Sequence, residues 1–324
     1  MKKIISISAL LLCIFCLTSS SVKHKSYVDK YGHLSVEGNK IVDENGAPVQ
    51  LRGMSFFWSQ WQGKYYNPAV VKWLSKNWNC SIVRAAMGVE KGGYLTNPYE
   101  EQLKLETVIR AAIKNGVYVI IDYHAHHAHD EPEKAAEFFG KMAKKYGKHP
   151  NIIYETFNEP LEENWSTVLK PYHEKIIAAI RKHDPDNLII CGTRTWSQRV
   201  DEASLDPIEG KNIAYTLHYY ASTHKQELRD IAKVALDRGI PLFITEFGIC
   251  EASGDGYINE EEYRAWWDFC DEHHISWCNW SVSDKIESAS VIKPNANEYG
   301  RWTEDELTRS GKIIREELKK NSLD

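Results

Sequence analysis

Eight short apolar runs recur along the chain, and stretches with helical periodicity lie between them. The runs span residues 49–54, 81–86, 117–123, 151–157, 188–192, 213–218, 241–246 and 275–280. Several are apolar without alternation, which is typical of strands buried on both faces of a parallel sheet. Residues 100–115, 133–146 and 168–183 place apolar side chains at helical spacing. This alternation predicts an α/β fold, a (β/α)8 barrel.

The rest of the chain favours one catalytic domain over residues 22–324. No glycine-rich dinucleotide motif follows an early strand, which argues against an open doubly wound sheet. No linker or repeat divides the chain. Residues 31–48, with a turn at Glu44-Asn45-Gly46, predict a small N-terminal hairpin at the base of the barrel.

Residues 1–21 are typical of a secretory signal peptide. Lys2 and Lys3 precede an apolar stretch over residues 4–17, and small residues follow it. The apolar stretch is short for a membrane span. We therefore expect a secreted protein, extracellular or periplasmic if retained, with no membrane association after cleavage.

Charge and cysteine content restrict the partners further. The formal net charge is -5, which gives no electrostatic attraction to nucleic acid. Of seven cysteines, Cys13 and Cys16 lie in the leader, and the scattered remainder shows no disulfide or metal-ligand spacing. One disulfide among the remainder stays open, but we expect most of these cysteines to be buried as small apolar residues. We also expect a monomer without a cofactor.

Polar or aromatic residues end nearly every predicted strand. They are Arg84, His124, Asn158, Glu159, Trp196, His218, Tyr220, Glu246 and Trp280. The carboxyl ends of barrel strands meet at one rim, where the chemistry of such barrels takes place. The pattern therefore predicts that these side chains line one site.

Two of these residues, Glu159 and Glu246, directly follow apolar strands. Retaining glycoside hydrolysis needs one protonated and one ionised carboxyl group, about 5–5.5 Å apart, whereas inversion needs about 6.5–9.5 Å. Strands four and seven of a barrel can face each other across its mouth, which suits the short gap. The two glutamates therefore predict a retaining glycosidase.

The chain resembles glycoside hydrolase family 5, in particular the bacterial cellulases of subfamily 2. The matching runs are 50–55 (QLRGMS), 83–87 (VRAAM), 120–124 (IIDYH), 158–160 (NEP), 215–221 (YTLHYYA), 245–248 (TEFG) and 277–285 (WCNWSVSDK). The resemblance implies that Glu159 is the acid/base, with a raised pKa in the free enzyme. It implies that Glu246 is the nucleophile, kept ionised by Arg84.

The same resemblance implies roles for residues around the reacting sugar. Asn158 is expected to hydrogen-bond the sugar 2-hydroxyl, and His124 and His218 to line the reacting subsite. Tyr220 is expected to hydrogen-bond the nucleophile, and Trp280 to form the floor beneath the sugar.

Four further residues are expected to bind sugars along the cleft. The resemblance places Trp196 as an aromatic platform on the leaving-group side and Trp61 as one on the far glycone side. It places Lys285 and Glu287 in polar contact with a glycone sugar. Together these residues indicate an open cleft that binds a β-glucan chain.

Two departures from the subfamily pattern concern the glycone subsites. Phe56-Phe57-Trp58 fills a loop in which many members carry histidine, and Gly88 stands where many have tyrosine. We expect an endo-β-1,4-glucanase, a cellulase acting by double displacement. A β-mannanase, a xyloglucanase or a licheninase on the same barrel stays open, and a non-catalytic carbohydrate-binding protein is the remote alternative.

A histidine-rich loop suggests metal binding as a further alternative. Residues 124–130 (HAHHAHD) contain four histidines within six residues, a composition that could bind zinc or nickel. The barrel rim already accounts for His124, and the other three lie in a polar loop. We therefore expect no functional metal site.

Overall fold

Eight parallel strands form the central barrel, and a separate two-stranded sheet lies outside it. The structure is a computed structural model and describes residues 26–323, so the predicted signal peptide lies outside the described residues. The strands are β1 (Ser35–Glu37), β2 (Lys40–Val42), β3 (Arg52–Phe56), β4 (Ile82–Gly88), β5 (Tyr118–His124), β6 (Ile152–Glu155), β7 (Ile189–Cys191), β8 (Ile213–Thr216), β9 (Tyr219–Tyr220), β10 (Leu242–Gly248) and β11 (Ser276–Val282).

The pairing of the strands closes the barrel. Strands β3 to β8 pair in chain order, β8 pairs with β10, and β11 pairs with both β10 and β3. The short strand β9 also pairs with β10, so the run predicted over residues 213–218 is broken after Thr216 and continues as β9. This closure confirms the predicted (β/α)8 barrel.

Helices follow the barrel strands and surround the barrel. They are α1 (Tyr27–Tyr31), α2 (Ser59–Gln62), α3 (Pro68–Asn77), α4 (Pro98–Asn115), α5 (Pro132–Tyr146), α6 (Lys170–Arg181), α7 (Arg194–Ser197), α8 (Val200–Ala203), α9 (Gln226–Asp237), α10 (Glu260–His273) and α11 (Arg309–Leu318). A π-helical turn, Trp165–Leu169, precedes α6, and 3-10 turns lie at Gly63–Tyr65, Ala128–Asp130 and Glu304–Glu306.

Local sequence signals explain the ends of these helices. Proline occupies the first position of α4 and α5, where its missing N–H has no intrahelical partner to lose. Helix α4 ends at Gly116, whose φ of 64° is the left-handed conformation that terminates helices. The helices predicted at 100–115 and 133–146 are therefore confirmed, and their observed ends lie within two residues of the predicted ones.

The core lies inside the barrel and between the barrel and its helices. Every residue of β4, β5, β10 and β11 is buried, as the uniformly apolar runs predict. Strands β3 and β4 approach so closely that a Cβ atom at Gly53 would lie 1.8 Å from the carbonyl oxygen of Ile82. The five described cysteines are buried and unpaired, and therefore pack as small apolar residues.

Strands β1 and β2 form the predicted hairpin at the base of the barrel. The backbone N–H of Val36 donates to Oδ1 of Asn212 at 3.1 Å, and Asn39 donates to the carbonyl of Leu236 at 2.9 Å. Asn212 directly precedes β8, and Leu236 lies in the last turn of α9, which leads to β10. The tight turn of the hairpin falls between β1 and β2, and the predicted turn at Glu44-Asn45-Gly46 follows β2. Over residues 26–323, the helices are too short or too polar to span a bilayer.

Candidate active site

A cleft of about 680 Å³ opens at the carboxyl ends of the barrel strands. The predicted site residues that line it are Trp61, His124, Glu159, Trp196, His218, Tyr220, Glu246, Trp280, Lys285 and Glu287. The remaining two, Arg84 and Asn158, are buried and hydrogen-bonded to each other, and Arg84 also contacts Glu246. The structure therefore brings all twelve predicted residues to one rim.

The two predicted catalytic glutamates face each other across this cleft. Glu246 lies in β10, and Glu159 lies four residues beyond the end of β6. One carboxyl oxygen of each, together with a ring nitrogen of His218, lie within 4.8 Å of one another. This separation suits direct attack by one carboxylate, and it leaves too little room for the water that inverting enzymes place between their carboxyl groups.

Arg84 connects several carboxylates beneath the cleft floor. Its Nη1 donates to Oε2 of Glu246 at 2.9 Å, and its Nε donates to Oε2 of Glu155 at 2.7 Å. Nη2 lies 3.0 Å from Oδ2 of Asp122. The guanidinium is wholly buried, so its charge acts on Glu246 without screening by water.

Two hydrogen bonds orient groups toward the reacting sugar. The hydroxyl of Tyr220 donates to Oε1 of Glu246 at 2.9 Å, so both oxygens of that carboxylate are held. The Oδ1 atom of Asn158 accepts from Arg84 at 2.6 Å, which fixes the amide. Its Nδ2 has no partner among the described residues. A buried donor without a partner is costly, and a sugar hydroxyl would satisfy it.

His218 joins Glu159 to a buried hydrogen-bond network. Its Nδ1 lies 2.9 Å from Oε1 of Glu159, and its Nε2 lies 2.8 Å from the hydroxyl oxygen of Thr245. That hydroxyl donates to Glu155 at 2.6 Å, which leaves its oxygen free to accept from Nε2. Nδ1 can therefore exchange a proton with Glu159.

The pKa values of this cluster differ from those expected from sequence. Burial opposes ionisation of Glu159, yet hydrogen bonds from His126 and His218 lower its pKa to about 2. Burial and the charge of Glu159 raise the pKa of Glu246, against the opposing effect of Arg84. The raised pKa expected for Glu159 in the free enzyme is therefore wrong.

His218 is protonated at neutral pH and can supply the proton that Glu159 needs as general acid. Burial disfavours its charge, but the carboxylates of Glu155 and Glu159 raise its pKa to about 9. Because His218 and Glu159 are hydrogen-bonded, the pair carries one proton at neutral pH, and that proton lies on His218.

His124 forms one wall of the cleft beside Trp280. The two rings stack with centroids 5.2 Å apart, and Nδ1 of His124 lies 2.7 Å from Oδ2 of Asp122. Burial and the charge of Arg84 hold the pKa of His124 well below its usual value, so the ring is neutral and donates to Asp122. Asp122 was missed from sequence, although it lies two residues before His124 on the same strand face.

Two exposed tryptophans mark the ends of the cleft. Trp61 is 51% exposed and Trp196 is 45% exposed, whereas Trp280 is 5% exposed. Trp196 lies in a stretch of three residues with φ values between 53° and 59°, a strained conformation for side chains other than glycine. Such strain is found mainly at functional sites.

Lys285 and Glu287 form an ion pair that lines the cleft on the Trp61 side. The Nζ atom of Lys285 lies 5.6 Å from the ring centroid of Phe57, and Phe57 packs on Trp280 at 5.0 Å. Phe57 therefore supports the floor at the position where the sequence departs from the subfamily. At the other departure, a Cβ atom on Gly88 would lie 1.7 Å from Oε1 of Gln60.

The histidine-rich loop does not gather its rings at one point. His126 faces Glu159, His127 faces Glu90, and His129 lies 3.5 Å from Glu163. Over residues 26–323, the potential ligand cluster that forms consists of Glu159, His218 and Glu246 and contains none of these loop histidines. The contact of His126 with Glu159 was missed because the loop follows no strand or helix periodicity.

Comparison with known proteins finds a matching family model and similar relatives. The family described as Cellulase (glycosyl hydrolase family 5) matches residues 42–286. Endoglucanase Z of Dickeya dadantii is 50% identical over 286 residues, which cover 87% of this chain. The chain spans 65% of the length of that relative.

Solved structures share both the fold and much of the sequence. A structure from Cytophaga hutchinsonii is 56% identical with a TM-score of 0.90, covering 91% of this chain and 97% of its own. The catalytic domain of Thermobifida fusca endoglucanase Cel5A, solved in complex with cellotetraose, is 32% identical with a TM-score of 0.87, covering 91% of this chain and 99% of its own.

Proposed function

This chain belongs to glycosyl hydrolase family 5, the cellulase family, and we propose that it is a retaining endo-β-1,4-glucanase. The observation that carries the mechanism is the approach of Glu159 and Glu246 to within 4.8 Å at the floor of an open cleft. The names of the relatives and the cellotetraose bound by one neighbour support a β-1,4-glucan as substrate.

In the first step, Glu246 attacks the anomeric carbon and displaces the leaving sugar. The bond from C1 to the glycosidic oxygen breaks, and that oxygen takes a proton from Glu159. The proton reaches Glu159 from Nδ1 of His218, which lies 2.9 Å away. Arg84 and Tyr220 hold the two oxygens of Glu246 in position for attack.

In the second step, water replaces the enzyme at the anomeric carbon. The ester bond removes the charge of Glu246, and Glu159 is now the base that takes a proton from the water. The resulting hydroxyl attacks C1, the bond to Glu246 breaks, and the carboxylate is restored. Two inversions give a β-configured product.

Substrate contacts in the cleft favour a glucan that lies across it. The free Nδ2 of Asn158 is the donor available to an equatorial 2-hydroxyl, a contact that strengthens in the transition state. Trp61 and Trp196 are exposed and can stack on sugar rings on either side of the cleavage point. An open cleft admits the middle of a chain, which supports internal cleavage.

We also propose that the enzyme acts outside the cytoplasm. The leader-like residues 1–21 support this proposal, as does the polymeric nature of the proposed substrate. N-terminal sequencing of protein recovered from the culture medium or the periplasm should show that the leader has been removed. Recovery of uncleaved chain in the cytoplasm alone would contradict the proposal.

The substrate assignment is tested by a panel of polysaccharides with purified protein. The panel contains carboxymethyl-cellulose, barley β-glucan, xyloglucan, glucomannan and galactomannan. Products are followed by reducing ends and by NMR of the anomeric protons. Fast release of short β-anomeric products from the first two supports the proposal. Activity confined to mannan or xyloglucan would show that the enzyme is a mannanase or a xyloglucanase instead. Products with the α-anomeric configuration would refute the retaining mechanism.

A further inference from the structure

We propose that His126 is a second positioning residue for Glu159: it holds the carboxyl oxygen that His218 leaves free, and so orients the carboxylate that acts as base. The inference rests on the proposed function for its kinetic consequences. The contact between the two residues is independent of which polysaccharide is cleaved.

The geometry places one imidazole on each oxygen of Glu159. His126 Nε2 lies 3.1 Å from Oε2, and His218 Nδ1 lies 2.9 Å from Oε1. Two partners on opposite oxygens fix the plane of the carboxyl group as well as its position. A carboxyl group held by His218 alone would remain free to rotate toward solvent.

A carboxylate holds the loop that carries His126. Oε1 of Glu90 accepts the backbone N–H of His126 at 3.1 Å and that of His127 at 2.7 Å. The ring of Trp58 packs on His126 with centroids 5.6 Å apart. His126 therefore has a defined place on the cleft wall, although its side chain is 28% exposed.

The charges around this pair favour a protonated His126. The titratable groups that interact electrostatically with Glu159 are His126, His218, His224, Glu246, Tyr220 and Asp122. Those that interact with His126 are Glu159, Glu90, Glu246 and His124. Burial lowers the pKa of His126, but the hydrogen bond and charge of Glu159 outweigh it and raise that pKa overall.

A cation beside Glu159 acts oppositely on the two half-reactions. It stabilises the carboxylate, so it disfavours the proton needed in the first step, while its hydrogen bond keeps the carboxylate oriented toward the water that attacks in the second. Removing the cation should therefore raise the pKa of the Glu159–His218 pair. The pH profile of kcat/KM should keep its activity to higher pH, while attack by water on the glycosyl-enzyme should slow because the carboxylate is no longer held in place.

The test compares His126→Asn and His126→Ala with the unmodified protein. Asparagine keeps a donor without a titrating charge, and alanine removes both. With β-glucan, we expect the alkaline limb of kcat/KM to move up by roughly one pH unit. With a dinitrophenyl cellobioside, whose good leaving group leaves attack by water as the slow step, we expect kcat to fall by roughly 10-fold.

The matched control is His127→Asn, on the same loop with its ring toward Glu90, which should keep the original profile. An unchanged alkaline limb in both His126 variants, with kcat lowered equally at every pH, would reduce His126 to a packing role and overturn the proposal.

An NMR titration tests the contact between His126 and Glu159 without an activity measurement. The Cε1–H resonance of His126 should show a lower midpoint in Glu159→Gln than in the unmodified protein, because a charged partner has been removed. An unchanged midpoint would overturn the proposal. If the unmodified protein cleaves no β-1,4-glucan, the proposed function fails, and the titration still decides this inference.

Discussion

Arg84 donates from Nη1 to Oε2 of Glu246 at 2.9 Å, while its Nε and Nη2 donate to the two oxygens of Glu155. One buried cation thus orients the predicted nucleophile and holds a second carboxylate that the sequence did not mark. Lysine carries the same charge but cannot reproduce this planar fork.

We therefore predict that Arg84→Lys lowers kcat by roughly 100-fold to 1000-fold, because Glu246 loses its fixed partner. The free energy of unfolding should fall by about 3 kcal/mol, since buried acceptors are left without donors. Steady-state kinetics and urea unfolding give both values. Arg52→Lys is the control, because Arg52 lies at the other end of the barrel in β3 and pairs with the exposed Asp271. Near-normal activity of Arg84→Lys would contradict the electrostatic role.

Loss of Glu246 should abolish the covalent route. We predict that Glu246→Ala lowers kcat by roughly 10⁵-fold, the scale on which removal of a covalent nucleophile acts in other hydrolases. Sodium azide can occupy the vacated space and attack C1 of a dinitrophenyl cellobioside directly, because dinitrophenolate leaves with almost no need of a proton. NMR should then identify an α-glycosyl azide from a dinitrophenyl cellobioside. Full activity without azide would refute the assignment.

Loss of Glu159 should depend on the leaving group. We predict that Glu159→Ala lowers kcat/KM on β-glucan by roughly 100-fold to 10,000-fold, because the leaving sugar needs a proton. A dinitrophenyl cellobioside needs almost none, so its kcat/KM should stay within a few-fold of normal. A plot of rate against leaving-group pKa should be steeper for the variant. An equal loss for both substrates would argue against an acid.

Some residues of the cleft can be predicted from local sequence patterns, whereas other contacts there depend on the tertiary fold. The strand-end residues Arg84 and Glu246 could be predicted because barrel topology brings strand ends together whatever the loops do. The contact of His126 with Glu159 could not, since it depends on how Glu90 holds an irregular loop.

The sequence did not predict which of Glu159 and Glu246 has the lower pKa, for a related reason. The sequence places Glu159 and Glu246 at one rim, but it does not give the distances from Glu159 to two histidines. Those distances account for the lowered pKa of Glu159, and the charge of Glu159 in turn contributes to the raised pKa of Glu246. The break of the sixth barrel strand after Thr216 was likewise invisible, because residues 213–218 are apolar or aromatic nearly throughout.

The exposed tryptophans should control where a chain is cut. We predict that Trp196→Ala lowers kcat/KM on cellohexaose by roughly 10-fold, equivalent to about 1.4 kcal/mol. It should leave a dinitrophenyl cellobioside unaffected, because that substrate carries no sugar on the leaving-group side. Trp61→Ala is the matched variant. It should shift the position at which cellopentaose is cut in the direction opposite to the shift caused by Trp196→Ala. Identical product patterns for the two variants would contradict platforms on opposite sides.

His173 should make the fold sensitive to acid. It is buried behind β6, where its Nε2 lies 2.9 Å from the carbonyl oxygen of Gly192 and its Nδ1 lies 2.8 Å from the hydroxyl of Thr156. The carbonyl can only accept, so Nε2 carries the proton and Nδ1 is the acceptor in a neutral ring. Burial lowers the pKa of His173 from 6.5 to about 4, against the weaker effect of the carbonyl.

A lowered pKa in the folded state means that the unfolded chain takes up the proton first. The stabilisation is therefore present above pH 6.5 and is lost as the pH falls through about 4. We predict that this residue alone costs about 3 kcal/mol of unfolding free energy over that range. His173→Gln keeps a donor and an acceptor but cannot titrate. Urea unfolding at several pH values should show the two proteins converging in stability on acidification, and parallel curves would show that His173 does not govern this acid sensitivity.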